Sequence, residues 1–594
     1  MISQFGPRLE PRGGVTFRLW APSAERVDLV IDQPRPMQRR EEGWFTLSVP
    51  SAGPGTRYRF RIDGELDVPD PASAFQGADV GGASEVIDHA FAWRAADWRG
   101  RPWAEAVILE LHVGTFTAGG RFLDVIDRLD NIAAAGITAI ELMPLADFPG
   151  RWNWGYDGVL WYAPDSAYGR PDDLRALIDA AHVRGLMVFL DVVYNHFGPE
   201  GNYLGRYAKP FFTSAHRTPW GDAIDYTVPQ VRAFAIENAL HWLDHYRFDG
   251  LRLDAVHALV EPGGLQMLRE LSAAVGELAT ASGRAIHLVL ENDDNRTALL
   301  DPLTDPPRGG YRTQWNDDYH HVWHVLLTGE SIGYYGDYAG DLRGLLARVM
   351  RSGFAYQGEP SSHRAGAARG GSTRHLPPTA FVNFLQNHDQ IGNRPFGDRL
   401  VTQAPKGAVA AALAVLLLAP MPPLLFMGEE WGARQPFPFF CDFSGELGEA
   451  VRRGRRSEFE AHHAAVAAKA AAADALPDPL AEATFRSAVL DWTARDAPDH
   501  RERLVLVRDL LAARRRHIVP HLGDLARMVA AASWSGDVLQ VRWRLGDRRL
   551  GLLANLSGDP AARPHDWMRG APIWGGAPVE RLTPWQVHWM LGDA

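Results

Sequence analysis

At 594 residues the chain is longer than one hydrophobic core serves, so roughly two to four domains are expected. A hydrophobic content of 46% and a charged content of 22% are those of a soluble globular protein. The formal charge of -11 speaks against nucleic acid or an anionic membrane as partner, since both reward basic patches.

The single cysteine, Cys441, leaves no internal disulfide, which suits a reducing compartment. Residues 1–14 lack the basic-then-apolar profile of a signal peptide. The longest apolar run, 408–420, is too short to cross a bilayer. A cytoplasmic protein with no membrane partner is the expectation. The 20 tryptophans and 15 tyrosines offer flat rings that suit sugar faces, although ordinary packing accounts for most of them.

In chain order, residues 1–95 read as a β-sandwich. Runs at 15–20, 27–31 and 58–62 alternate apolar and polar residues with period two, and turn signals such as Gly13-Gly14 and Pro54-Gly55 separate them. Its aromatics suit glycan, and a purely structural role fits equally well. From about residue 96 strand and helix patterns alternate. Strands are expected at 107–116, 137–145, 186–194, 250–256, 286–291, 381–385 and 423–427. Helices are expected at 122–135, 172–183, 228–246, 265–281, 408–418 and 502–515. Roughly eight such units over about 400 residues favour an α/β fold, a (β/α)₈ TIM barrel spanning 96–520, over an open sheet. Insertions follow the third strand (196–227) and the eighth (431–498), the latter holding a solvated helix at 451–473. Strand signals at 538–544 and 550–554 place a small C-terminal β domain at 521–594.

Reactive groups in such a barrel stand at the C-terminal ends of strands. Asp191, Asn195 and His196 follow the third strand, and Arg252, Asp254 and His257 lie on or after the fourth. Glu291 ends the fifth, and His388 and Asp389 end the seventh. Period-two alternation sends Leu251 and Leu253 to the helices and Arg252 and Asp254 to the barrel interior. A cation two residues from Asp254 is expected to hold it ionised, as a nucleophile requires; a structural ion pair is the alternative. Glu291, desolvated and facing other carboxylates, is expected to have a raised pKa and to serve as a proton donor. One protonated and one ionised carboxyl group are what glycoside cleavage needs.

At these residues the chain resembles the α-amylase superfamily of glycoside hydrolases. Four blocks carry the likeness in the superfamily's order: Asp191-Val192-Val193-Tyr194-Asn195-His196, Gly250-Leu251-Arg252-Leu253-Asp254-Ala255-Val256, Glu291-Asn292 and Asn387-His388-Asp389. The resemblance implies a retaining double displacement with Asp254 as nucleophile, Glu291 as acid/base and Asp389 gripping sugar hydroxyls. It places Tyr156, Asp157, His196, Arg252 and His388 around the cleaved sugar. His257-Ala258, which continue the second block, depart from the many α-amylases that have lysine then histidine at these two positions. The runs 149–158, 198–204, 314–321 and 386–394 are similar to one group within the superfamily, the malto-oligosyltrehalose trehalohydrolases. That likeness implies cleavage of an α-1,4 bond next to a terminal trehalose, with His257, Asp317, Asp318, His320, Gln390 and Asn393 among the substrate contacts. For Asp317, Asp318 and His320 a structural role is the alternative reading.

A branching enzyme, a debranching enzyme and a non-catalytic glycan-binding protein are the rival readings. No cofactor is expected, and no metal, since both catalytic roles are filled by carboxyl groups and no His/Cys cluster stands out.

Overall fold

The computed structural model describes residues 4–218, 221–300, 311–463, 476–523, 525 and 527–594. A closed parallel barrel forms its centre. The strands are β1 (Ile108–Leu111), β2 (Ala139–Leu142), β3 (Met187–Val192), β4 (Gly250–Leu253), β5 (His287–Leu290), β6 (Thr313–Trp315), β7 (Phe381–Phe384) and β8 (Pro423–Phe426), paired in that order. β8 closes onto β1 with Leu424 beside Ile108.

Short, fully buried strands explain the register. Ile108, Ala139, Met187, Phe189, Val289, Trp315, Phe384 and Leu424 pack together as an apolar plug. Two residues further along their strands, period-two alternation brings Glu110, Glu141 and Asp191, all buried, with Arg252 beside them on β4. Burying charge is costly unless it is paired, so this polar layer needs an internal cation. Gly250 is required where β3, β4 and β5 meet, because a Cβ there would lie 2.3 Å from the His287 carbonyl oxygen.

The outer helices include α1 (Pro171–Val183), α2 (Pro229–His245), α3 (Gly263–Ser282), α4 (Asp317–Thr328), α5 (Leu342–Ser352) and α6 (Lys406–Leu418). They also include α7 (Gly445–His463) and α8 (Pro498–His517). α6 is buried along nearly its whole length, which is why its sequence shows no polar face.

Several expected elements are shorter or divided. The run at 107–116 yields β1 and then a helical turn, Val113–Phe116, and the helix at 122–135 is two helices, Phe122–Ile126 and Leu129–Ala135. β6 has only three residues and gave no periodic signal. An insertion between β6 and β7 was also not expected; it holds α5 and the hairpin Glu359–Pro360/Ala368–Arg369. Of the solvated helix read at 451–473, the part beyond α7 lies outside the described residues.

Ahead of the barrel, a four-stranded and a five-stranded antiparallel sheet make the front domain, whose strands Val15–Trp20, Val27–Val30 and Arg57–Ile62 match the alternation in the sequence. Phe5 packs edge-on against Phe234 of α2, which ties this domain to the barrel. The chain ends in a five-stranded antiparallel sheet in which Trp543 and Trp589 stack. Among the described residues no helix is long and apolar enough to cross a membrane.

Candidate active site

Arg252 organises the mouth of the barrel. Its side chain is fully buried, with the guanidinium over the Trp315 ring at 4.1 Å. Nη1 donates to Asp191 Oδ2 at 2.5 Å and to Asp254 Oδ1 at 2.8 Å. Nη2 forms an ion pair with Glu291 Oε2 at 2.8 Å. Because both nitrogens belong to one rigid planar group, the carboxyl oxygens of Asp254 and Glu291 lie within about 8 Å of each other.

Further donors fix each carboxyl group. Asn195 Nδ2 donates to Asp254 Oδ2 at 2.8 Å. The N–H of Ala255 donates to Glu291 Oε2 at 2.7 Å. Ala255 adopts a left-handed conformation, φ 42° and ψ 49°, which is strained for a residue with a Cβ. That turn aims the N–H at Glu291. The side chains of Asp254 and Glu291 are 13% and 15% exposed, and that of Asp389 is 38% exposed. All three can therefore reach a sugar.

Burial raises the Glu291 pKa, and the Asp254 charge raises it further against the opposing pull of Arg252. For Asp254 the outcome corrects the sequence expectation. Burial dominates and, with Asp191 and Asp389, outweighs Arg252, so its pKa is raised rather than lowered. The two carboxyl groups form a crowded pair in which ionising one hinders the other. Each carboxyl group meets Arg252 and one further donor, Asn195 for Asp254 and the Ala255 N–H for Glu291, so the two share one cation and compete for a single negative charge.

Tyr156 donates its hydroxyl to Asp191 Oδ2 at 2.5 Å and stacks on the His388 ring at 5.0 Å. His196 is held by the Tyr156 carbonyl through Nε2 and by Asn195 Oδ1 through Nδ1, and burial drops its pKa to about 4. Burial alone would lower His388 too, but Asp389 and Glu110 outweigh it and bring its pKa up to about 9. Its Nδ1 meets Glu110 Oε1 at 2.5 Å. Asp157 is half-buried and accepts from Asn153 Nδ2 at 2.7 Å. His257 is exposed on the turn after β4, where its Nδ1 accepts from the Asp293 N–H.

A cleft of about 200 Å³ opens beside Glu291. Asp317, His321, Tyr334, Asp389, Gln390 and Asn393 are among the residues that line it. Two expected contacts lie elsewhere. The Asp318 carboxylate is fully buried and occupied by Asn295 Nδ2, the Tyr338 hydroxyl, the Ala355 and Tyr356 N–H groups and Arg369. His320 is also buried, held between the Leu385 carbonyl and the Tyr335 hydroxyl. The helical period explains both. Residues i and i+4 of α4, Asp317 and His321, share the cleft face, and their immediate neighbours turn inward. Sequence reading missed His321, Tyr334 and Glu110. Only Glu110 left a trace, as a lone charge in the apolar run Ile108-Leu109-Glu110-Leu111.

Residues 97–210 match the α-amylase catalytic domain, and residues 4–74 match carbohydrate-binding module 48, the isoamylase N-terminal domain. The chain is 42% identical over 552 residues to a malto-oligosyltrehalose trehalohydrolase of Deinococcus radiodurans, covering 92% of this chain and 88% of that one. It is 43% identical over 510 residues to one of Arthrobacter ramosus, covering 84% and 87%. A 1,4-alpha-glucan branching enzyme of Nocardia farcinica is more distant, 28% identical over 75% of this chain and 62% of its own. Among solved structures, a candidate alpha amylase from Salmonella typhimurium superposes with a TM-score of 0.94 at 41% identity over the whole of both chains. A pullulanase from Paenibacillus barengoltzii, TM-score 0.71 at 19% identity over 100% of this chain and 96% of that one, shares the fold. The chain belongs to the malto-oligosyltrehalose trehalohydrolase family, within the α-amylase glycoside hydrolases.

Proposed function

We propose that the chain hydrolyses the α-1,4-glucosidic bond next to the terminal trehalose of malto-oligosyltrehalose, with retention, and releases trehalose. The observation that carries this reading is the bridge from one Arg252 guanidinium to Asp254 and Glu291, at 2.8 Å on each side. Ionised Asp254 attacks the anomeric carbon as the bond to the departing oxygen breaks, and Glu291 gives its proton to that oxygen. Trehalose leaves. Glu291, now a carboxylate, takes a proton from water, and the water attacks the same carbon and frees Asp254.

Asp389 accepts hydrogen bonds from sugar hydroxyls, which tighten as the ring flattens. The imidazolium of His388 and the ring of Tyr156 hold the sugar from the other side. Asp317, Gln390 and Asn393 face the cleft where the trehalose end is received. Trehalose is chosen over maltose when its hydroxyls pair with groups that maltose would leave unpaired. Both catalytic roles are filled by carboxyl groups, so the reaction needs no metal or cofactor. The front domain (1–95), barrel (96–520) and C-terminal sheet (521–594) are the units in which we read the chain. The sole cysteine, buried Cys441, fits a cytoplasmic setting.

The test is to incubate the chain with malto-oligosyltrehalose and with plain malto-oligosaccharide. Free trehalose from the first, released much faster than maltose from the second, is expected. New α-1,6 branch points would support a branching enzyme instead.

A further inference from the structure

Three histidines meet on the outer wall of the barrel, and none of them lines the cleft. His241 and His245 stand one turn apart on α2, so they share a face. His89 comes from the segment that follows the last front-domain strand, Ser84–Glu85, and leads to β1. One ligand nitrogen from each ring lies within 4.8 Å of the other two. The ring centroids are 5.2 Å apart for His89 and His241, 5.3 Å for His241 and His245, and 4.1 Å for His89 and His245. We infer that His89, His241 and His245 form a binding site for one divalent cation of the zinc type, which fastens the connecting segment to the barrel.

The chemistry around the rings fits. Zinc binds imidazole nitrogen at about 2.0–2.1 Å, in the ring plane and in a tetrahedral set. The His89 and His245 rings stack at 10° to each other, so one of these half-buried rings must turn for the lone pairs to converge, while buried His241 stays in place. His241 Nε2 donates to the Tyr162 carbonyl at 3.0 Å, which fixes its tautomer and leaves Nδ1 as the ligand. His89 and His245 are half-buried, which leaves a path for the ion and for water as a fourth ligand.

Arg175 is the competing group. Its Nη2 donates to His89 Nδ1 at 2.8 Å, so that lone pair already faces a positive charge. The incoming cation takes over this lone pair. Arg175 remains tied to Asp172 Oδ1 at 2.7 Å and to the His245 carbonyl at 3.3 Å, and so gives up one hydrogen bond. Asp244 acts on the His245 ring and Asp172 pairs with Arg175, and these carboxylates offset part of the added charge.

The test uses the full chain, stripped with chelator and dialysed against Zn²⁺ or Co²⁺. Wild type is expected to hold one ion per chain, with the intense visible bands of tetrahedral Co²⁺ and a Tm increase on the order of 2 °C. His245→Gln and His89→Gln should each weaken binding at least about tenfold and abolish those bands. Their metal-free Tm serves as the folding control. Arg175→Met should bind more tightly than wild type. Equal binding by wild type and both histidine variants, or no saturable site in wild type, would overturn the proposal.

Discussion

The N–H of Ala255 donates to Glu291 Oε2 at 2.7 Å, so the residue directly after Asp254 positions the side chain opposite it. Because Ala255 is left-handed, the contact depends on a strained turn that a branched side chain would resist. Ala255→Val should therefore lower kcat with little change in KM, and Ala255→Gly should keep most of the activity. Steady-state kinetics on both variants checks this. Equal activity of Val and wild type would remove the turn from the account.

Glu291→Gln removes a proton donor and little shape. The expected loss in kcat on glycosides with poor leaving groups is about 10²–10⁴-fold, with much smaller losses on activated ones such as fluorides. Wild-type turnover on both classes would rule out Glu291 as the acid.

The raised pKa of Glu291 has a stability consequence. A carboxyl group whose folded pKa is raised contributes stability below its unfolded pKa, and loses it as pH rises through the folded pKa. Glutamine mimics the protonated form, so Glu291→Gln should gain Tm over wild type with rising pH and match it in acid. A Tm difference that stays constant with pH would contradict the burial argument.

His388 follows the same rule with a cation. Its pKa rises from 6.5 to about 9, so its contribution is complete below pH 6.5 and fades as pH climbs through about 9. Glu110→Gln removes one of the two carboxylates that hold the proton there. The His388 pKa in that variant, followed by NMR, should fall, and KM should rise near the alkaline end. An unmoved His388 titration would exclude Glu110 as its support.

Adjacent residues of α4 should separate function from stability. His321→Gln, on the cleft face, should raise KM, with a smaller loss of Tm than Asp318→Asn. Asp318→Asn takes one of the two carboxylates, Asp318 and Asp293, from buried Arg369 and should cost about 1.5–3 kcal/mol. Thermal unfolding and kinetics on the two variants check the division, and the opposite pattern would mean the helix is turned the other way.

These contrasts mark how far the sequence could be read. Alternation along a strand is rigid even where both faces are buried, so Arg252 and Asp254 could be put on one face from spacing, and Glu291 on the same rim from its place at the end of an apolar run. Helical phase is softer. An error of about 100° per residue separates His320 from His321, and no local signal says which faces the cleft. β6, at three residues, is too short to display a period. The insertion that brings Tyr334 to the cleft is built from short elements without a repeating pattern. The sign of the Asp254 shift depended on how deeply the strand end is buried, which spacing does not reveal. The sequence reading saw no histidine cluster; the structure corrects this, because His241 and His245 share a face of α2 and His89 arrives from a distant segment.

Exhaustive chelation should leave kcat unchanged, because carboxyl groups carry the chemistry; loss of kcat restored by one added metal would refute this.

The central claim is tested most directly by trapping the glycosyl-enzyme. Glu291→Gln incubated with a malto-oligosyl fluoride slowed by a 2-fluoro substituent should accumulate a covalent adduct. Peptide mass spectrometry should find the added sugar on Asp254, and wild type should release malto-oligosaccharide with the α anomer first. A sugar on any other residue, or β anomer released with no adduct, would contradict the account.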